Sequence, residues 1–173
     1  AIQVMTRWSP TNDRLRMVVA LQQAADEFGT MLGITGRIAE KARTFEDTVE
    51  DYFAQVGPAG QEAFYKLLQS AHIQLRGCIV ALSMRQATMA TKVITQDGVM
   101  DQAYLQLQMA LRAAIMADPA LTAPLGTLSV IVADIEHMGN HVTRICQRIE
   151  AVTLGAPPVP GMDVPTMFLT IAD

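Results

Sequence analysis

The chain is poor in what strands, tight turns and disulfide frameworks require. Aromatic residues make up 5% of its 173 residues, and there are only 11 Gly and 8 Pro, so a sheet-rich fold with many turns is excluded. Two cysteines, Cys78 and Cys146, are too few for a disulfide framework or a four-cysteine zinc site. Both lie in apolar helical text and are expected to be reduced, buried thiols. Charge is sparse as well: 13 basic residues against 17 acidic ones, net −4. That balance lacks the clustered Lys and Arg of a nucleic-acid-binding surface. No long hydrophobic run is present. The longest uncharged apolar stretch, 119–133, is interrupted by Pro124 and Gly126 and falls short of the roughly 20 residues a bilayer span needs. Ala1-Ile2-Gln3-Val4 has neither the basic start nor the apolar stretch of a secretory leader, so none is expected.

Half of the residues are hydrophobic, enough for a sizeable core. The dominant types favour helix. Helix breakers fall at Ser9-Pro10, Gly57-Pro58, Asp97-Gly98, between Asp118-Pro119 and Pro124, and from Gly155 onward. The intervening text predicts four long helices over about 11–53, 59–95, 99–117 and 124–154, joined as an antiparallel bundle.

In the last of these, a rotation of about 100° per residue puts Leu128, Ile131, Ile135, Met138, Val142, Ile145 and Ile149 on one side. Asp134, His137, His141, Arg144 and Arg148 fall opposite, which predicts solvated histidines. Gly139 lies inside the apolar stripe, which predicts a close approach of another helix. The first helix repeats this layout 110 positions earlier, with Gly29 at the place of Gly139, Asp26 at that of Glu136 and Thr30 at that of Asn140. Its expected inner face is Val18, Leu21, Phe28 and Leu32.

Motifs of the common enzyme classes are missing: there is no GxxxxGK[ST], GxGxxG, GxSxG or HExxH. What remains is acidic and amide side chains four residues apart, hence on one helix face. Asp97 and Asp101 form one such pair, Glu136 and Asn140 another. Two pairs on adjacent helices would offer four oxygen-bearing groups to Mg, Mn, Fe or Ca ions. Alternatively, Asp97 caps the start of the third helix and Asp101 favours its N-terminus.

The stretch Asp134-Ile-Glu-His-Met-Gly-Asn-His-Val-Thr-Arg-Ile-Cys-Gln resembles the signature of the PhoU family of phosphate-uptake regulators, a pattern close to L-E-R-I-G-D-H-A-T-N-I-A-E. Glu136, Gly139, His141, Thr143 and Ile145 match it, with Met138 in place of Ile. Pro10-Thr-Asn-Asp13-Arg-Leu15-Arg16, followed by Asp26-Glu-Phe-Gly29-Thr30, resembles the corresponding part of a first repeat. Asp97-Gly-Val-Met100-Asp101-Gln-Ala-Tyr104 resembles the family's D-x-x-I-D-x-L-Y joint.

The resemblance implies an all-α fold of tandem three-helix bundles with long, spectrin-like antiparallel helices, the first repeat incomplete. Residues 1–56 would be the remainder of repeat one, 57–155 a complete repeat two and 156–173 a Pro-rich tail. It implies a divalent or iron-type metal (Mg, Mn, Zn or Fe) at Asp97, Asp101, Glu136 and Asn140, and more weakly at Asp26. Asn140 and Thr30 stand where the family carries Asp. It further implies a cytoplasmic, non-catalytic regulator that contacts a sensor histidine kinase and the ATPase of a phosphate ABC transporter at the inner membrane. An accessory domain of a sodium/phosphate cotransporter, or a metal-dependent helical-bundle enzyme, is the alternative. Self-association through the first helix is expected, because its inner face lacks the helices of a complete repeat.

Overall fold

The computed structural model describes residues 12–154. The expected tail at 156–173 and the segment Ala1–Trp8 lie outside them. Helix α1 spans Asn12–Ala42, and a 3₁₀ segment, Arg43–Thr48, leads from it into the next helix. Helix α2 spans Val49–Met84 and bends at Gly57 (φ 76°, ψ 170°), immediately before Pro58. The positive φ suits glycine. Pro58 then opens the longer segment, where its missing N–H has no helical partner to lose. Helix α3 spans Ala87–Ala117. A short 3₁₀ turn, Pro119–Leu121, is capped by the Asp118 side chain, which accepts from the Ala120 N–H. Helix α4 spans Thr122–Leu154.

The joint between α2 and α3 is not at Asp97-Gly98 but at Arg85-Gln86. Arg85 adopts φ 51°, and the Gln86 N–H reaches back to the Ala81 carbonyl at 3.0 Å. This is the six-to-one bond of a Schellman ending, with Arg where glycine is usual. Asp97 and Gly98 sit inside the continuous α3, so Asp97 is no N-cap. Buried Val93, Met100 and Ala103 on either side of them outweigh the roughly 1 kcal/mol of helix propensity lost at Gly98.

Helices α2, α3 and α4 pack on one another as a three-helix bundle, and α1 lies against α4. Neighbour pairs give the directions. Gly60 with Ala110 and Gly77 with Val93 make α3 antiparallel to α2. Met100 with Gly139, and Gln108 with Ser129, make α4 antiparallel to α3. Glu27 with Arg148, and Arg37 with Asp134, make α1 antiparallel to α4. One core cluster gathers Leu67, Leu107, Leu111, Leu125 and Val132; the other gathers Ala24, Met31, Cys78, Val142, Ile145 and Cys146.

The apolar side expected for α4 is buried at Leu128, Ile131, Ile135, Val142, Ile145 and Ile149. The opposite side is not solvated as expected, because α1 covers much of it. Asp134 is 7% exposed, and the His141 and Arg148 side chains are 15% and 18% exposed. The face of α1 that does the covering also differs from the expected one. Ala20, Ala24, Met31 and Ile34 are buried, whereas Val18, Leu21 and Leu32 are exposed. With α4 as its main neighbour, α1 docks through the stripe whose small residues allow close approach and whose Glu27 and Arg37 find countercharges. Gly29 accordingly has open space around it, unlike its counterpart Gly139.

A side chain at Gly139 would begin 2.6 Å from Met100 Sδ and 3.1 Å from Gln74 Oε1. Both neighbours are fully buried. Gly139→Leu is therefore expected to cost about 1–3 kcal/mol by overpacking. Thermal unfolding checks it: an unchanged melting temperature would remove the close approach inferred at this position.

Candidate functional site

The polar chemistry of the molecule concentrates along the α1–α4 seam. Glu27 enters it from α1 and is 12% exposed. Its Oε2 hydrogen-bonds His141 Nδ1, and its Oε1 accepts from Arg148 at 2.7 Å. Arg144 stands further off, 3.9 Å from Oε2. Burial pushes the Glu27 carboxyl up, but the hydrogen bonds from His141 and Arg148, with their positive charge, outweigh it and hold its pKa below the ordinary value. Nearly three helical turns along α1, Arg37 donates to Asp134 Oδ1 at 2.9 Å. The other Asp134 oxygen is buried without a hydrogen-bond partner.

Between these two ion pairs α1 and α4 leave an open cleft of about 210 Å³, lined by Thr30, Ile34, Arg37, His137, Asn140, His141 and Arg144. A larger hollow of about 410 Å³ between α2 and α3 is lined by Ala59, Glu62, Ala63, Lys66, Gln106 and Met109. Its two charges neutralise each other at 2.8 Å.

The residues expected to hold metal lie on three helices. Asp97 and Asp101 share a face of α3, where partial burial and then the Asp97 charge push the Asp101 carboxyl up. On α4, Asn140 Nδ2 donates to Glu136 Oε1 at 2.6 Å. Asp26, on α1, accepts only a long 3.4 Å bond from Gln22. Thr30, at the second position where the family pattern carries Asp, returns its hydroxyl to the Asp26 carbonyl at 3.1 Å. Among the described residues no group of three or more His, Cys, Asp or Glu side chains is arranged to hold a metal ion.

The structure adds partners the spacing did not reveal. Cys78 and Cys146, distant in sequence, meet in the second core cluster, both fully buried. Their contact, together with burial, holds the Cys146 thiol protonated, in keeping with inert core thiols. Glu27, the most strongly partnered carboxylate of the seam, was hidden among ordinary helix-surface charges. Its one sequence signal was its place on the stripe of Ala20, Ala24, Met31 and Ile34.

The family profile of the PhoU domain matches residues 64–149. The chain carries a PhoU domain. The match begins within α2 and ends near the close of α4, so it falls within the three-helix bundle, and α1 lies outside the matched residues. No curated protein and no solved structure matches the chain. The PhoU domain contributes His137, Asn140, His141 and Arg144 to the cleft, and α1 contributes Thr30, Ile34 and Arg37.

Proposed function

We propose that the protein is a PhoU-type regulator of phosphate uptake and phosphate-starvation signalling. In this reading it acts without catalysis, by binding a sensor histidine kinase and the ATPase of a phosphate transporter and shifting their conformational equilibria. The observation that carries the reading is the PhoU domain at residues 64–149. The absence of any helix among the described residues long and apolar enough to cross a membrane fits a protein that reaches the inner membrane face through its partners.

The test is a deletion of the gene in its own host, carrying a phosphate-starvation reporter. The reporter is expected to stay active in phosphate-replete medium and to fall silent again when the chain is restored. A reporter that shuts off normally without the gene would remove the proposed role.

A further inference from the structure

The cleft on the seam has the opposite chemistry from a cation site. Among the described residues no carboxylate lines it. Thr30 and Asn140, the two positions at which the chain departs from the carboxylates of the resembling pattern, lie on its facing walls, one on α1 and one on α4. Arg37 and Arg144 line it with them, as do His137 and His141.

The carboxylates nearby stand outside the lining, and each is held by a residue of the seam, His141, Arg37 and Asn140 among them also lining the cleft. Glu27 is held by His141 and Arg148, Asp134 by Arg37, and Glu136 by Asn140. Several donors are left over. The Arg144 side chain is 56% exposed and hydrogen-bonds no described residue, its nearest carboxylate oxygen being 3.9 Å away. His137 is 61% exposed, and its nearest carboxylate oxygen is 3.7 Å away. Arg37 uses one N–H toward Asp134, which orients a guanidinium that carries five.

Arg37, Arg144 and Arg148 match Glu27, Asp134 and Glu136 in number along the seam. At about 30 Å³ per water, the cleft's 210 Å³ holds a phosphate-sized ion with several of its waters.

We propose that this cleft binds a small tetrahedral oxyanion, phosphate or sulfate in class, between the Arg37 guanidinium on α1 and the Arg144 guanidinium on α4. Planar guanidinium forks match the edges of such an ion with paired N–H donors. His137, the remaining nitrogen of His141, the Asn140 amide and the Thr30 hydroxyl border the same space. The ion would join the two helices that form the seam. The same side chains disfavour a divalent cation, which would face two arginines. The inference rests on the cleft alone, and its test in the tube is independent of the cellular test above.

Calorimetric titration of the full chain at fixed ionic strength is the experiment, with inorganic phosphate, sulfate and phenyl phosphate as separate probes. Saturable binding of one ion per chain is expected. Arg144→Gln, at an exposed position, and Asn140→Asp, which keeps the side-chain shape, should each weaken it at least tenfold, with melting curves showing that both variants remain folded. Binding of the free ions assigns the site to free oxyanions. Binding of phenyl phosphate alone supports the same chemistry and assigns it to a phosphoryl group on a larger molecule. No saturable binding of any probe, or an affinity in both variants unchanged from wild type, overturns the proposal. Tighter Mn²⁺ binding by Asn140→Asp without loss of oxyanion affinity overturns it as well.

Discussion

Replacing Glu27 by Gln is expected to destabilise the protein by about 2–3 kcal/mol. The figure lies below the roughly 3–5 kcal/mol of a fully buried pair, because the participating side chains keep 12–18% of their surface. The amide preserves shape but removes the charge that Arg148 and His141 both face. Arg148, largely covered, is then left without a countercharge, and hydrogen bonds to charged groups count for more than neutral ones.

The loss should depend on pH. The folded state lowers the Glu27 pKa from an unfolded value near 4.5, so its contribution is complete above that value and disappears as pH falls through the folded one. Denaturation midpoints of wild type and Glu27→Gln should therefore differ at pH 7 and converge below about pH 4.5. A gap that persists into strong acid would show that the carboxylate's charge is not what stabilises the seam.

Leu107→Ala should have the largest effect, about 2–5 kcal/mol, out of a total stability of roughly 5–15 kcal/mol for an ordinary domain. Leu107 lies on α3 with no exposed surface, in the cluster that also holds Leu67, Leu111 and Leu125 from all three helices of the PhoU domain. Truncation leaves a void that long, rigid helices close poorly. Leu107→Met, which conserves volume, should cost less than about 1.5 kcal/mol. Urea unfolding of the two variants separates the outcomes: equal midpoints would place Leu107 outside the packed centre.

The all-helical architecture, the helix break at Gly57-Pro58, the buried stripe of α4 and the close approach at Gly139 were legible because each rests on a local rule. The first helix, by contrast, ends at Ala42 and not near 53, with no glycine or proline to mark it. The α2–α3 joint was not legible either. It turns on Arg85 in a left-handed conformation, where neither glycine nor proline marks the break, while the conspicuous Asp97-Gly98 pair is carried through a helix by its buried flanks. Periodicity found two faces on α4 but could not say that the polar one would also be covered. That depends on α1, whose own docking face was misread because Val18, Leu21 and Leu32 are larger and more apolar than Ala20 and Ala24. The cleft was visible only as isolated residues. Asn140 and Thr30 stood out as lost carboxylates, but Arg144 fell on the expected solvated face and Arg37 carried no signal of its own until the fold brought the two to one place.

The position of α1 bears on how the molecule comes apart. Each of α2, α3 and α4 packs on both of the others, while α1 rests chiefly on α4. Removing it would uncover one side of α4 and break the Glu27 and Arg37 pairs, yet leave the mutual packing of the other three helices in place. Among the described residues α1 is therefore expected to open before the core trio, in a sub-global step that hydrogen exchange would read as weaker protection of α1 than of α3.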